Sequence, residues 1–523
     1  MKKLKKVLAL GMAGAMALSL AACGGSDSSA TTSGSTSTGT SEASSTADGE
    51  VVNLTWVMVG NGMPSNYDAW LEQINPYLEE KIGVNIDVQV VAWDAWDQRR
   101  STIVNTAGEY DILFTNTNTY TNDVGIGAFY DITELLPEVA PDLWASIPED
   151  YWDACRVNGQ IYAVPTMKDS SISQYVVWDK GAMDAAGYDG STMQDLTDPE
   201  LTEALGSQEL QDYLVANNYP TTAWPLSSSG ATYLTFQYDT MGAGLIAMGV
   251  KYNDTEGKVV SIFEQPDIME YLDLLREWYN AGIINADANV KGEENAYKPA
   301  AIAQGWPLAA VTTWGPNMGV EEAVAYQWGP TIVSNDSVRG SLNCISNNCP
   351  NPEKALEFLQ LVNTDSYVRD LLYYGVQGDD WDYTDETHEW VHKNNANWTM
   401  AGYTQGSFFT VTPTDDFDFN QYDQVAELNA AAEPSVLLGF SMDTTPVSDQ
   451  LAQCIAIAES YKSELLTGAC GEFDTPEEMV ADMVAAMNEV GFQEILAEAQ
   501  RQVDEFLAAN PPEVSTSTAE SAE

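Results

Sequence analysis

The chain has only two histidines, and they stand four apart in His388-Glu389-Trp390-Val391-His392. On a helix that spacing puts both imidazoles on one face, where they can bind zinc with Glu389 as the base of a peptidase. The flanks argue otherwise. Asp379 to Glu386 is acidic and polar, Lys393-Asn394-Asn395-Ala396-Asn397 is turn-forming, and the segment between reads as a hairpin strand. A second spacing, Asp416, Asp418, Asn420 and Glu427, falls on positions one, three, five and twelve of a calcium loop, but the sixth position, which needs glycine, is Gln421. With 78 acidic residues in the chain, such spacings arise by chance. No metal, cofactor or P-loop is expected, so the leading expectation is a protein without catalysis. A surface hydrolase, either a zinc peptidase or a glycosidase, is the alternative.

The N-terminus carries its own chemistry. Lys2, Lys3, Lys5 and Lys6 precede an apolar run from Val7 to Ala22 that ends in small residues, the pattern of a signal peptide. The run is shorter than the roughly 20 residues a spanning helix needs. Leu20-Ala21-Ala22-Cys23 resembles the lipobox of bacterial lipoproteins. That resemblance implies removal of residues 1–22, acylation of Cys23, and a protein anchored by lipid to the extracytoplasmic face of the cell membrane, because several acyl chains hold where one does not. Of the other five cysteines, Cys344 with Cys349 and Cys454 with Cys470 form two close pairs and leave Cys155 over. Two disulfides and five buried thiols are both open readings.

Residues 24–50 are nearly all Gly, Ser, Thr and Ala, which cannot bury enough apolar surface to offset chain entropy. They read as a flexible stalk with a root-mean-square span of about 30 Å. Residues 511–523 read as a disordered tail. The body, Val51 to Asn510, exceeds what one hydrophobic core fills, so two lobes are expected. A formal charge of -57 excludes nucleic acid and other polyanions as ligands. With 15 Trp and 25 Tyr, the chain offers flat amphipathic surface suited to the C–H faces of sugar rings.

Elements must hold these groups in place. Val51 to Val59 reads as a buried strand, and Ser65-Asn66-Tyr67-Asp68 as a capping box opening a helix through Trp70, Ile74, Leu78 and Ile82 to Gly83. Val84 to Val90 alternates as a second strand, Trp96 to Ala107 reads as a helix, and Asp111 to Phe114 as a third strand. This βαβαβ order implies a parallel sheet with ligands at the carboxyl ends of its strands. Three loops leave those ends: Gly60 to Asn66, Val91 to Asp94, and Thr115 to Asn122. The third is short polar side chains around Tyr120, groups that donate and accept at once. Trp93 lies in the second, beside Asp94. Trp70 and Trp96 read as core. A further helix is expected from Pro266 to Asn280, and the apolar face of Phe492, Ile495, Leu496, Ala499, Val503, Phe506 and Leu507 reads as a core-facing C-terminal helix.

Several segments then resemble successive landmarks of one family. They are Gly108-Glu109-Tyr110-Asp111-Ile112-Leu113-Phe114, Phe129-Tyr130-Asp131-Ile132-Thr133, Asn158-Gly159-Gln160-Ile161-Tyr162-Ala163-Val164-Pro165, Asn351 to Leu359 and Arg369 to Gly375. Their order and spacing resemble the extracellular solute-binding proteins, family one, which serve ABC importers. Ser435-Val436-Leu437-Leu438-Gly439-Phe440-Ser441 resembles a C-terminal domain of unknown function found on a branch of these lipoproteins. The resemblance implies an α/β, two-lobed periplasmic-binding-protein-like fold of type II, with parallel-sheet lobes and a ligand cleft between them. It places 51–165 plus about 310–375 in the first lobe, and about 166–309 plus about 376–510 in the second lobe with a C-terminal helical region. It also implies a neutral solute, a sugar or oligosaccharide, bound by a monomer that works with permease and ATPase subunits. Positions carried over as ligand-facing are Asn61, Asn116, Thr117, Tyr120 and Trp314. Trp93, Tyr175 and Asn317 complete the candidate set.

Overall fold

A computed structural model describes residues 51–194, 198–217, 237–284, 286–290 and 297–511. The expected signal peptide, Cys23, the stalk and the tail from 512 onward lie outside the described residues. No helix among the described residues is long and apolar enough to cross a membrane.

β1 (Val52–Gly60) is apolar and β-branched, and it is buried on both faces from Trp56 onward. α1 (Tyr67–Ile82) buries Trp70, Ile74 and Leu78, and Gly83 ends it at φ 67°, a left-handed cap. The expected capping box is absent. Asn66 makes no side-chain cap, because its amide donates instead to Asp379 Oδ2 at 3.1 Å and Asp380 Oδ2 at 2.8 Å, far along the chain. β2 (Val84–Ala92), α2 (Trp96–Ile103) and β3 (Ile112–Thr115) follow in the expected order. β1 lies between β2 and β3 and is parallel to both, with Trp56 opposite Val88 and Ile112.

α3 (Tyr120–Gly125) and α4 (Glu149–Ala154) lead to β4 (Ala163–Pro165). The chain then crosses to a second sheet through β5 (Ile172–Asp179), followed by α5 (Pro266–Ala281), β6 (Ala300–Gln304), α6 (Pro307–Thr312), α7 (Trp314–Asn317) and β7 (Ala323–Val333). It returns through α8 (Asn335–Val338) to β8 (Leu342–Ile345), α9 (Pro352–Thr364) and α10 (Ser366–Tyr374). The hairpin β9 (Trp381–Tyr383) and β10 (Val391–Lys393) comes next, before a third crossing through α11 (Asp423–Ala431) and β11 (Glu433–Pro434). Three helices close the described chain: α12 (Ser448–Leu466), α13 (Pro476–Glu489) and α14 (Phe492–Ala509).

The first sheet has the order β2-β1-β3-β8-β4, and the second β6-β5-β7-β11. Parallel pairing holds for β2-β1-β3, whereas β5 is antiparallel to both β6 and β7. A strand that enters the second lobe directly from the first runs away from the cleft, so the strands leading back toward it must run against it. The Thr166 N–H donates to Ser341 O at 3.0 Å and their hydroxyls hydrogen-bond at 3.0 Å, which ties the first two crossings together.

Apolar side chains sort into two large cores. One gathers residues from Leu54 to Met167 and from Val333 to Tyr422, the other from Val176 to Ile332 and from Leu437 to Val503. The expected division near 310 and 376 is therefore displaced. Ala310 and Met318 pack under the second sheet, while Val376, Trp381, Val391 and Phe408 pack in the first core, because the hairpin folds back onto α10 before the third crossing. All five described cysteines are buried free thiols, so neither expected pair is bridged. Cys454 and Cys470 fill the helical core and Cys344 lies in β8. Small apolar packing, not cross-linking, is what these positions supply.

Candidate ligand-binding cleft

The carboxyl end of β1 is closed off by a distant segment. Gly60 bridges Met400, and a Cβ at Gly60 would stand 2.6 Å from Val90 Cγ1 and 3.0 Å from Thr399 O. Glycine is needed there for close approach of two backbones. The Asn61 N–H donates to Thr399 O at 2.9 Å, and Asn61 itself is exposed. This approach sets Tyr403 beside Trp93, which follows β2. The two rings are parallel within 5° with centroids 6.2 Å apart, and they are 45 % and 43 % exposed.

Buried polar groups of the first core hold the segment carrying Tyr403. The fully buried Arg369 donates to Gly402 O at 2.7 Å, Gly406 O at 3.1 Å, Ser407 O at 2.9 Å and Gln405 Oε1 at 3.0 Å. Asn343 donates to Thr404 O and Gln405 O, and its Oδ1 accepts the Trp56 indole N–H at 3.1 Å. The Ser407 N–H donates to Asn363 Oδ1 at 2.9 Å. Each of these satisfies a backbone or side-chain group that would cost about 1–3 kcal/mol if buried unpaired. The aromatic wall is preformed as a result.

The first crossing and the second lobe complete the surroundings. The Phe408 N–H donates to Met167 O at 2.7 Å, and its ring meets the edge of Trp306 at 5.9 Å. Trp306 follows β6 on the second sheet yet packs against the first core, and its indole N–H is buried without a partner. Phe409, 43 % exposed, lies next in the same segment. Lys168 pairs with Asp169 at 3.0 Å, and burial together with the Asp169 charge pushes the Tyr403 phenol up to about 12. Tyr403 is therefore a neutral donor across the physiological range. Gln174, near the start of β5, is fully buried with neither amide atom hydrogen-bonded.

Of the sequence-predicted residues, Asn61 and Trp93 belong to this constellation. Asn116 is half-buried, and its Oδ1 accepts the Asn118 N–H. Thr117 donates to Asp336 on α8, which also accepts from Thr240 at 2.9 Å, so this loop lies at the hinge. Tyr120 is a core residue and not a ligand-facing one. It is fully buried, and its hydroxyl donates to Cys155 O at 2.5 Å. Tyr175, with its phenol raised by burial, packs with Val177, Ala303, Ala310 and Met318 beneath α6. Half-buried Trp314 and exposed Asn317 belong to α7, which meets the opposite end of the second sheet, where the Lys298 N–H donates to Met318 O and Ala323 pairs with Asp179. Neither is brought together with Trp93. The residues that sequence reasoning missed are Tyr403, Phe409 and Trp306. A signal existed for Trp306, since it follows an apolar strand and precedes Pro307, as a loop at a strand's carboxyl end does.

The H-E-x-x-H segment is a hairpin, as its flanks imply. His388 sits at φ 59° in the turn, stacked on Tyr383 at 3.9 Å, and His392 is on β10 with Nδ1 2.9 Å from Asp415. The helical face that zinc would need does not form. Asp416 is paired with Lys393 at 2.6 Å, and Glu427 lies on α11. Among the described residues, no group of three or more His, Cys, Asp or Glu could hold a metal ion.

Comparison with known proteins agrees with this architecture. A carbohydrate ABC transporter substrate-binding protein of Streptococcus pneumoniae is 26% identical over 510 residues, covering 94% of this chain and 96% of the relative. The solved N-glycan transport solute binding protein of Streptococcus pneumoniae is similar with a TM-score of 0.75 at 23% identity, covering 88% of this chain and 100% of that one. A solute binding protein associated with an HMO-binding ABC transporter of Bifidobacterium longum infantis gives 0.56 at 17%, covering 88% and 99%. Residues 436–508 match a domain of unknown function, DUF3502. The model of the bacterial extracellular solute-binding proteins matches residues 61–369, and the chain belongs to that family.

Proposed function

We propose that the protein captures a neutral oligosaccharide between its lobes and hands it unaltered to the permease and ATPase subunits of an ABC importer. It does so as a monomer held on the extracytoplasmic face by acyl chains on Cys23. The observation that carries the reading is the parallel Trp93–Tyr403 pair, half-exposed at the carboxyl ends of the first sheet, with Asp169 near enough for its charge to act on Tyr403 and the exposed Asn61 just beyond β1. Aromatic faces take the C–H face of a pyranose, and amide, carboxylate and phenol groups take its hydroxyls. Lys168 is paired with Asp169 and Arg369 is spent on buried backbone carbonyls, which favours an uncharged ligand over a uronate. The carbohydrate relative supports the same class. The related N-glycan transport protein has been solved with Man1GlcNAc and with Man5GlcNAc, which makes such glycans the first probes.

The test is a thermal-shift screen of Man5GlcNAc, fructo- and malto-oligosaccharides, uronates, amino acids and peptides, with mass spectrometry of each mixture. Saturable stabilisation by one neutral glycan class, recovered intact, is the expected result. Stabilisation by peptides alone, or recovery of a cleaved product, overturns it. For the anchor, Cys23→Ala should release the protein into the medium and abolish labelling with radioactive palmitate.

A further inference from the structure

The C-terminal unit begins at the seam between the two cores. Leu437 and Phe440 are buried in the second core, whereas Leu438, between them, packs against the first. This loop is fastened to α8, the helix of the second crossing. The Asn335 amide donates to Leu437 O at 2.7 Å and Phe440 O at 2.9 Å, and its Oδ1 accepts the Gly439 N–H at 2.8 Å. Arg339, immediately after α8 and fully buried, donates to Ala154 O of the first lobe at 2.6 Å and to Ser441 Oγ at 2.5 Å. Its guanidinium faces the Tyr120 ring at 5.8 Å. One buried cation thus links the end of α4, the second crossing and the C-terminal unit. Gly439 lies at φ 88° over the first lobe, where a Cβ would stand 3.4 Å from Asp153 Cβ.

The rest of the unit is seated on the second lobe. Arg276 of α5 donates to Gly468 O at 2.9 Å and Ala469 O at 2.8 Å. Gln500 of α14 accepts the Val259 N–H at 2.8 Å and donates to Gly257 O at 3.0 Å. A body that is fixed to one lobe and reaches the crossing segment and the other lobe can restrain their relative rotation.

We propose that residues 436–508 serve as a brace for the interlobe hinge, with the loop Val436–Met442 keyed by Asn335 and Arg339 so that it narrows the range of angles the lobes sample before ligand arrives. The role deepens the reading above, since a clamp held near its binding geometry loses less conformational entropy on closing.

The brace can be tested without any ligand, so its failure and that of the glycan reading are separable. In a Cys23→Ser background the remaining native thiols are the five buried ones, so nitroxides can be placed selectively on Glu80→Cys in the first lobe and Glu489→Cys in the second. Double electron–electron resonance then gives the interlobe distance distribution of the ligand-free protein. Ser441→Ala removes one acceptor of Arg339, Asn335→Ala removes the three loop bonds, and Arg501→Ala, whose partners Glu498 and Glu505 lie on α14 itself, is the control. Broadening of the distribution by at least about twofold in either brace variant, with Arg501→Ala unchanged, is expected. An unchanged width in both brace variants, or equal broadening in Arg501→Ala, overturns the proposal. Should Asn335→Ala fail to fold, Ser441→Ala alone decides.

Discussion

Removing the Trp93 ring tests whether the aromatic wall contacts ligand, and the structure sets the size of the effect. Trp93 is 45 % exposed. For a side chain that can bury about 250 Å², this leaves about 110 Å² open. A ring stacked on one face covers about half of that, which at about 25 cal/mol per Å² is worth about 1.4 kcal/mol. Trp93→Ala should therefore weaken binding about tenfold, and Tyr403→Ala by a similar factor. The change should also lower thermal stability, because the other half of the side chain is buried, so binding is compared at a temperature where both proteins are folded. Isothermal calorimetry on the best glycan from the screen measures it, with Trp314→Ala as the comparison, since that half-buried ring lies at the far end of the second sheet. A Kd within twofold of the parent for Trp93→Ala, or a larger loss for Trp314→Ala, refutes the placement of the cleft.

Arg369→Met should lower stability by about 3–5 kcal/mol in chemical denaturation, because three carbonyls and the Gln405 amide oxygen lose their buried donor. Gly60→Ala should cost about 1–3 kcal/mol by overpacking against Val90 and should also weaken glycan binding, since the Thr399 backbone that must shift leads to Tyr403. Burial raises the Asp370 carboxyl to about 6, although it accepts from Thr412 and Tyr383. A folded pKa above the unfolded value of about 3.9 means that this group's stabilising contribution is complete below about pH 3.9 and lost as pH rises through 6. The parent should thus lose about 2–3 kcal/mol relative to Asp370→Asn between pH 4 and pH 7 in urea melts, and parallel curves would refute the raised value.

What could be read in the sequence was local periodicity, and what could not was long-range placement. The first five elements from β1 to β3 follow from alternation and four-residue spacing, which are properties of neighbouring residues. Asn61 and Trp93 are legible as candidates because a parallel sheet sets which strand ends open on a cleft, and both lie at those ends in the structure. Tyr120 was misplaced because the same polar loop runs into α3, and helical geometry turns that ring inward over Cys155. Tyr403 had no local signal at all. It reaches Trp93 only because Gly60 admits the Thr399 backbone and because Arg369, more than 30 residues earlier, holds the turn. Gly60, Asn343 and Asn363 look unremarkable in sequence, and Arg369 stands out there only as the start of a family landmark, yet each contacts the segment that supplies half of the aromatic wall. Aromatic content said that flat surface was available, and only buried polar residues distant in sequence decide which rings remain exposed. The same logic applies at the hinge, where Asn335 and Arg339 stand in a short stretch with no motif of their own and draw together two lobes and a C-terminal unit.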